Sequence, residues 1–364
     1  MRLLIQPGDG VRSLVKSISG AKKSVEIVIF RFDEREVEQA LANAVSRGVA
    51  VSALIASTNS AGEENLRKLE LRLLAAGVTV SRTADDLVRY HGKLMIVDRS
   101  ELYLLAFNLT HADIDRSRSF GLITKGRDVV QEAVRLFEAD TKRIAYEPAP
   151  RKLVVSPINA RKELAAFIRG AKRSLAIYDP QVSDPAMSRL LEERAKAGVQ
   201  VRIIGRVASR IPGVTSHKLH IRLHTRTIVR DGLTAFLGSQ SLREAELDAR
   251  REVGLIFRDV KTVSQVLRTF ESDWAQIEKE QVQETPDAAT KLASKVAKAV
   301  TREIPEVAPI LSGAVQEVAA DIGEVDLPVA KMEEVVKGAV KQAVKEAVKD
   351  AVEEALEKAA ARAE

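Results

Sequence analysis

Two histidines lie in the same chemical setting in the two halves of the chain. In each half the histidine precedes a cation by two residues and an aspartate by seven, which gives the sets His91, Lys93, Asp98 and His224, Arg226, Asp231. Lysine and arginine bind the non-bridging oxygens of phosphate esters. A neutral imidazole can attack phosphorus, and a protonated imidazole can protonate the leaving oxygen. The two sets therefore predict one phosphodiester site that takes a histidine from each half.

The residues around the second histidine indicate how its side chain is presented. Polar and apolar residues alternate through residues 219–226, so a strand would place His224 and Arg226 on one face. The opposite face would carry leucine and isoleucine toward the core. Asp231 and Gly232 then predict a tight turn into the next strand. The motif is therefore expected to lie on a hairpin with one polar face.

Similarity between the halves extends beyond the histidines. Residues 21–27 match residues 171–177 at a separation of 150, whereas residues 121–124 match residues 254–257 at 133, the separation of the two histidines. A register held through several blocks indicates an internal duplication. The change in separation predicts an insertion in the first half, which we assign to a helix at residues 63–76 and the strand after it.

Strands alternate with helices in each half. Residues 25–30 form a short apolar run rich in β-branched residues, which is typical of a buried strand. Residues 34–47 have apolar positions at helical spacing, with Asp33 as the expected N-cap and Gly48 as the stop. The second half repeats this order. The pattern predicts an α/β fold of two tandem lobes related by a pseudo-two-fold axis, each a mostly parallel sheet flanked by helices.

Composition divides the chain into three parts. We predict a first lobe at residues 1–146, a second lobe at residues 147–283 and a helical tail at residues 284–364, which is rich in Ala, Val, Lys and Glu. Apolar pairs recur every four residues at the end of the tail, so its apolar stripe winds around a helix. Such a helix suits oligomerisation or a membrane surface, and a solvated helix is the alternative.

Charge and composition limit the classes of function. The net charge is +6, but the tail carries 11 lysines and arginines against 16 acidic residues, so the body before it is strongly basic. A basic body favours a phosphorylated substrate, nucleic acid or an acidic lipid surface. The absence of cysteine excludes thiolate metal sites, and no carboxylate cluster suggests a metal or another cofactor.

The lack of recognisable targeting signals favours a cytoplasmic protein. The first ten residues already contain proline and aspartate, unlike a signal peptide. No apolar run is long enough to form a transmembrane segment. We therefore expect a cytoplasmic location, with peripheral contact at a membrane as the alternative.

The two motifs resemble those of the phospholipase D superfamily. Its signature is H-x-K-x4-D followed by G-S-x-N, with two copies in each active site. The resemblance covers about residues 1–280 and leaves the tail outside. It implies a phosphohistidine intermediate without a metal, with His91 as the nucleophile and His224 as the general acid. Lys93 and Arg226 would bind the phosphate.

The resemblance also implies roles for residues around these motifs. Asn108 and Ser239, in the segments after the motifs, would contribute to phosphate binding. Asp98 and Asp231 would act as local structural anchors. Family members carry an acidic residue that orients a histidine, and Glu252 fits this role in the second half.

The sequence departs from the family pattern at several positions. The departures are Arg226 for lysine, Leu105 and Ala106 for Gly-Ser, Ser241 for asparagine, and Ser119 at the position that corresponds to Glu252. The first half is therefore expected to lack an acidic partner for its histidine, which His224 would keep.

Three functions fit these residues. The first is a hydrolase or phosphatidyltransferase acting on phospholipid, with a place in lipid metabolism or lipid degradation. The second is a metal-independent nuclease with the same chemistry, which the basic body favours and the low aromatic content of 4% disfavours. The third is a degenerate scaffold that binds phosphates without catalysis.

Overall fold

A computed structural model of the chain describes residues 1–57, 63–149 and 153–283. The predicted tail at residues 284–364 lies outside the described residues. Met1–Ile277 form one compact unit. The described helices are α1 (Arg12–Gly20), α2 (Arg35–Ser46), α3 (Glu63–Ala75), α4 (His111–Ile114), α5 (Arg127–Lys142), α6 (Ala160–Arg169), α7 (Pro185–Lys196), α8 (Glu244–Asp248) and α9 (Val260–Gln283).

Seventeen strands are described alongside these helices. In the first half they are β1 (Arg2–Gln6), β2 (Ser24–Ile29), β3 (Ala50–Ile55), β4 (Thr79–Arg82), β5 (Arg89–Tyr90), β6 (Leu94–Val97), β7 (Glu101–Leu105) and β8 (Ser117–Thr124). In the second half they are β9 (Val154–Val155), β10 (Ser174–Val182), β11 (Gln200–Val207), β12 (Val214–His217), β13 (Arg222–Leu223), β14 (Arg226–Arg230), β15 (Thr234–Gly238), β16 (Arg250–Arg251) and β17 (Val253–Phe257).

Each half builds one sheet, which confirms the two-lobe α/β fold. The first sheet has the order β1-β8-β7-β6-β2-β3-β4, with β13 added beside β8, and the second has the order β12-β11-β10-β14-β15-β17-β9. The expectation of mostly parallel sheets is corrected. Among the described strand pairs within each half, only β2-β3-β4 and β10-β11-β12 run parallel. The other described pairs are antiparallel. The reason is that each motif strand returns through a tight turn, which joins antiparallel neighbours.

The turn expected after the second motif is present. Asp231 and Gly232 have φ values of 55° and 68°, and the strands β14 and β15 pair on either side of them. Asp98 has a φ of 52° at the corresponding turn between β6 and β7. The alternating strand predicted for residues 219–226 is broken, because only β13 and the start of β14 are extended there.

The insertion in the first half consists of a helix alone. Helix α3 confirms the helix predicted there, but β4 has a counterpart in β12, because each extends its sheet by parallel pairing. No helix is described between β11 and β12 in the second half. Helix α3 is therefore the element that breaks the duplication.

Helix α2 follows its predicted core face but not its predicted N-cap. Its apolar stripe, Val37, Ala40, Leu41 and Ala44, is buried, and Gly48 ends the helix with a φ of 81°. The N-cap is Glu34, not Asp33. The carboxylate of Asp33 instead accepts a hydrogen bond from the backbone of His111 at 2.8 Å, which ties α2 to the start of α4.

An apolar cluster joins the two sheets. It contains Phe120 of the first half with Tyr178 and Phe270 of the second. The ring of Tyr178 meets those of Phe120 and Phe270 edge to face, at centroid distances of 5.4 and 5.1 Å. Truncating a buried phenylalanine to alanine costs about 3–5 kcal/mol. This cluster therefore holds the two halves in the arrangement that a shared site needs. Among the described helices, none is long and apolar enough to cross a membrane.

Candidate active site

Each half has a short strand just before its own histidine, and this strand pairs with a strand of the other half. Strand β5 pairs with β16, and strand β13 pairs with β8, both in parallel. The backbone continues the exchange: His91 N donates to the carbonyl of Arg251 at 2.7 Å, and His224 N donates to that of Arg118 at 3.0 Å. The two contacts are related by the same separation of 133 residues as the histidines. The structure therefore brings both motifs to one interface between the halves.

The first histidine is aligned by a carboxylate from the second half. Nδ1 of His91 lies 3.0 and 2.9 Å from the two carboxylate oxygens of Glu252, whose side chain is fully buried. The edge of the His91 ring packs against Phe30 at a centroid distance of 4.6 Å. The expectation that Glu252 serves His224 is wrong. Strand exchange delivers the Glu252 carboxylate to the opposite histidine.

The second histidine has an acidic partner that the sequence did not reveal. Nδ1 of His224 lies 2.9 Å from Oδ2 of Asp113, which belongs to α4 of the first half. This contact is misaligned for a hydrogen bond, unlike the one between His91 and Glu252. Ser119, at the position that corresponds to Glu252, is buried, and its hydroxyl has no hydrogen-bond partner among the described residues.

A signal for Asp113 exists in the internal repeat. Asp113 corresponds to Glu246 at the separation of 133, and each lies five residues after a residue of the post-motif segment. Asp113 accepts from the backbone of Asn108 at 2.8 Å, and Glu246 accepts from that of Ser241 at 2.7 Å. An acid conserved between the halves at this spacing could have been noticed as part of the site.

The two motif cations lie beside the histidines. Nζ of Lys93 donates to the carbonyl of His91 at 2.7 Å, and the guanidinium of Arg226 donates to that of His224 at 2.8 Å. Both cations are buried. Burial lowers the pKa of Lys93 to about 7. The site thus holds two buried cations whose positive charges can meet a phosphate.

The two residues expected to assist phosphate binding differ in their surroundings. The side-chain amide of Asn108 donates to Asp113 at 2.7 Å, and its oxygen has no hydrogen-bond partner among the described residues. The hydroxyl of Ser239 accepts from the backbone amide of Val253 at 3.0 Å and donates to the carbonyl of the same residue at 3.4 Å. Asn108 therefore retains an unused acceptor at the site, whereas Ser239 supports the strand that carries Glu252.

Asp98 and Asp231 lie at the turns beyond the motifs. The carboxylate of Asp98 accepts from three consecutive backbone amides, of Lys22, Lys23 and Ser24, at 2.6–3.0 Å. Asp231 accepts from those of Lys172, Arg173 and Ser174 at 2.7–3.1 Å. In both cases burial would raise the pKa of the aspartate, but the backbone amides outweigh it and lower the pKa. These contacts join each turn to the start of a central strand.

Burial and charge act differently on the two histidine–carboxylate pairs. Burial lowers the pKa of His91 and raises that of Glu252. Burial also lowers the pKa of His224, to about 4. Burial would raise the pKa of Asp113, but its contacts with His224 and its neighbours bring that pKa well below its ordinary range. Burial therefore favours a neutral imidazole in both pairs. The pairs differ in their carboxylates, because burial favours the protonated form of Glu252 whereas Asp113 is firmly ionised.

The remaining histidines lie away from this pair. His217 packs against Trp274 at a centroid distance of 4.4 Å, and His220 is exposed. His111 forms a group with Asp33 and Glu34 whose ligand atoms lie within 4.8 Å of one another. Nδ1 of His111 is 3.1 Å from Glu34, and its backbone donates to Asp33, so contacts within the group account for its geometry. We assign no metal to it.

A cleft of about 1320 Å³ opens beside Asp113 on the first half, between α2 and α3. Its cationic lining residues are Arg31, Arg35, Lys68, Arg72 and Arg222, and its acidic ones are Asp33, Glu38 and Asp113. Glu38 is paired with Arg72 at 2.7 Å. Its apolar lining residues are Phe32, Ala42, Leu66, Leu69 and Ala76. Asn108 and Asp113 line the end nearest the histidines. The lining is therefore mixed, with five basic and three acidic side chains beside its apolar part.

Known proteins share this duplicated architecture. The sequence profile of the family described as "Cardiolipin synthase, PLD-like domain" matches residues 14–141 and again residues 164–274. A polyphosphate kinase of Prosthecochloris aestuarii (strain DSM 271 / SK 413) is 26% identical over 285 residues, which are 69% of this chain and 40% of that protein. The chain thus spans less than half the length of this curated relative.

Two solved structures share the fold of the chain. The polyphosphate kinase from Porphyromonas gingivalis superposes with a TM-score of 0.63 at 17% identity, covering 74% of this chain and 49% of that one. The phosphatidylserine synthase of Haemophilus influenzae Rd KW20 gives a TM-score of 0.57 at 12% identity, covering 76% and 85%. Since the family profile matches each half separately and covers more than half of the sequence, the chain belongs to the phospholipase D superfamily.

Proposed function

We propose that the chain transfers a phosphorus-centred group through a covalent phosphohistidine, with His91 as the nucleophile and His224 as the general acid and base. The observation that carries this proposal is the exchange of carboxylates between the halves. Glu252 holds Nδ1 of His91, and Asp113 lies against Nδ1 of His224. Each ring therefore keeps Nε2 for a phosphorus atom bound between them.

In the first step Nε2 of His91 attacks phosphorus, and the bond from phosphorus to the leaving oxygen breaks. The leaving oxygen takes a proton from Nε2 of His224. Lys93 and Arg226 stabilise the charge that develops on the non-bridging oxygens. The low pKa of His91, caused by burial, keeps the nucleophile unprotonated. His224 must gain its proton as the anionic substrate binds, because an adjacent anion favours the imidazolium.

In the second step an acceptor hydroxyl attacks the phosphorus of the intermediate. Neutral His224 removes the proton of that hydroxyl, and the bond from phosphorus to His91 breaks. Water as the acceptor gives hydrolysis, and an alcohol gives group transfer. Both outcomes restore the two histidines to their starting protonation states.

For the substrate we propose a phospholipid, which belongs to the first of the three functions that fit the motifs. The support is the cleft beside Asp113, which combines cationic and apolar lining. A phospholipid carries a phosphodiester next to long apolar chains, so one molecule could place its phosphorus between the histidines and an apolar chain in the cleft. Peripheral contact of the protein with a membrane follows from this choice of substrate.

The second candidate substrate is a phosphate chain. The observation in its favour is the similarity to polyphosphate kinase from Prosthecochloris aestuarii over 69% of this chain. The same two-histidine chemistry would then break a phosphoanhydride instead of a phosphodiester. Nucleic acid is the third substrate to test, because the body of the chain is basic.

Trapping of the intermediate by quenching in alkaline SDS, in which a phosphohistidine survives, tests these proposals. Labelled phosphatidylglycerol, polyphosphate and DNA are incubated in parallel with the wild type, His91→Ala and His224→Ala. We expect acid-labile label on the wild type from phosphatidylglycerol and none on His91→Ala. With a p-nitrophenyl phosphodiester, whose leaving group needs no proton, the His224→Ala variant should accumulate label. Label from polyphosphate or DNA alone would overturn the lipid assignment, and no label from any substrate would support a non-catalytic scaffold.

A further inference from the structure

Asp113 lies at the centre of a network that connects the cleft to the second histidine. Its Oδ2 accepts from the backbone and side-chain amides of Asn108 at 2.8 and 2.7 Å and lies 2.9 Å from Nδ1 of His224. Its Oδ1 is paired with the guanidinium of Arg222. The two hydrogen bonds from Asn108 use both acceptor positions of Oδ2, so Nδ1 of His224 lies against an oxygen that is already engaged.

Internal symmetry assigns this task to a different residue. Glu252, which aligns His91, lies two residues before Gly254, and Ser119 lies two residues before the matching Gly121. Serine brings no charge, and the Ser119 hydroxyl is buried without a hydrogen-bond partner among the described residues. The carboxylate for the second histidine therefore comes from α4 and not from β8.

Arg222 gives this carboxylate a link to the cleft that its counterpart lacks. The side chain of Arg222 is 47% exposed and lines the cleft, while Asp113 is almost completely buried. The corresponding cation of the first half, Arg89, lies over the ring of Phe30 at 5.4 Å. Arg222 thus shares one carboxylate with His224 by direct contact, whereas among the described contacts Arg89 acts on Glu252 only electrostatically.

We propose that Asp113 is the positioning residue of His224, in place of an acid at position 119, and that Arg222 makes this pairing responsive to an anion in the cleft. Without an anion, Arg222 and Asn108 hold Asp113 away from the line of a hydrogen bond to His224. An anion that binds Arg222 draws the guanidinium away from Asp113. The carboxylate of Asp113 then aligns with Nδ1 of His224 and favours the protonated form of that imidazole. This inference deepens the proposed function, because it explains how the general acid gains its proton.

Other charges around His224 remain in place during this change. Three groups face His224 and disfavour its protonation, namely Lys93 just before β6, Arg226 of β14 and the ring of His91. Asp113 favours its protonation. Since the two cations are buried and bonded to the backbone, Arg222 is the cation of this group with the freedom to move toward a ligand.

Nitrogen NMR of His224 tests the proposal without turnover. The resonances are assigned with His224→Ala, and inorganic phosphate is the probe. In the wild type we expect Nδ1 of His224 to carry the proton at neutral pH and phosphate to raise the pKa of the ring. Asp113→Asn should mix the two tautomers and reduce the phosphate effect. Arg222→Gln should raise the pKa of His224 in the absence of phosphate and reduce the further increase that phosphate causes. The matched control Arg89→Gln should leave both the pKa of His224 and its response to phosphate unchanged.

Rescue separates positioning from simple loss of packing. Asp113→Asn combined with Ser119→Glu, or with the shorter Ser119→Asp, should restore the tautomer of His224. A wild-type tautomer in Asp113→Asn would overturn the role of Asp113. Equal phosphate shifts in the wild type and Arg222→Gln would overturn the role of Arg222. The NMR readout stands even if no phosphotransfer is found, so failure of this inference is distinguishable from failure of the proposed function.

Discussion

Each histidine of the active site receives a carboxylate from the opposite half, but the two contacts are not equally well aligned. His91 receives a well-aligned carboxylate from Glu252, at 2.9 and 3.0 Å, on a strand of the sheet. His224 receives Asp113 from a four-residue helix, at 2.9 Å but out of line, and shares it with Arg222. The difference teaches that a fixed partner suits a nucleophile with one protonation state. A shared partner suits a group that must gain and lose a proton within each cycle.

The largest effects should come from the histidines themselves. His91→Ala should abolish turnover for every leaving group, because no covalent intermediate forms. His224→Ala should lower kcat by about 10²–10⁴-fold for an alkyl leaving group and far less for p-nitrophenolate, which leaves without a proton. Steady-state kinetics with both substrates measures this. If His91→Ala shows the dependence on leaving group instead, the assigned roles are reversed.

The fixed partner should matter next. Glu252→Gln removes the charge that aligns His91 and should lower kcat on the order of 10²-fold, less than the 10⁴-fold that a buried catalytic carboxylate can contribute. Ser119→Ala is the matched control at the corresponding position of the first half, where the hydroxyl has no hydrogen-bond partner among the described residues. Equal activities of these two variants would remove the distinction between the halves.

The two motif cations, Lys93 and Arg226, should differ in how their charge depends on pH. Burial holds the pKa of Lys93 at about 7, so its charge is present below this pH and is lost above it. We therefore expect kcat/KM to fall as the pH rises through about 7. Lys93→Arg copies the second half and stays charged, so it should move this fall to higher pH. An unchanged profile in Lys93→Arg would assign the alkaline fall to another group.

The smallest effect concerns the turns, where the halves should behave alike. Asp98→Asn and Asp231→Asn should each lower the free energy of unfolding by about 1–3 kcal/mol, because backbone amides lose a charged acceptor. The pKa of each aspartate is lowered in the folded protein, so its contribution is present at neutral pH and lost as the pH falls through that value. Urea unfolding at neutral and acidic pH measures this. A large difference between the two variants would contradict equivalent anchors.

Sequence periodicity was sufficient to predict the α/β class and the core face of α2. It also predicted α3, within one residue, as an insertion in the first half. It was misleading on strand direction, because the alternation of strands and helices indicated parallel neighbours although Asp231 and Gly232 already predicted the tight turn between β14 and β15. Helix–strand patterning is local, whereas the direction of a strand relative to its neighbour depends on the turns and on the whole sheet.

The candidate site was predicted as far as its histidines and cations. Its carboxylates were not paired correctly, because pairing within a half is the simplest assumption when a motif is repeated. Strand exchange makes Glu252 a neighbour of a residue 161 positions away. Asp113 lay outside the family signature, so only comparison with Glu246 in the other half could have drawn attention to it.

The exchanged strands β5 and β13 have a consequence for how such a site can diverge. If two identical subunits exchanged these strands, every substitution would appear on both sides of the phosphorus, and the nucleophile and the acid would share one environment. Because a single chain supplies both sides, a substitution such as Ser119 alters one histidine and leaves the other intact. An internal duplication within one chain therefore allows two symmetric groups to be tuned separately.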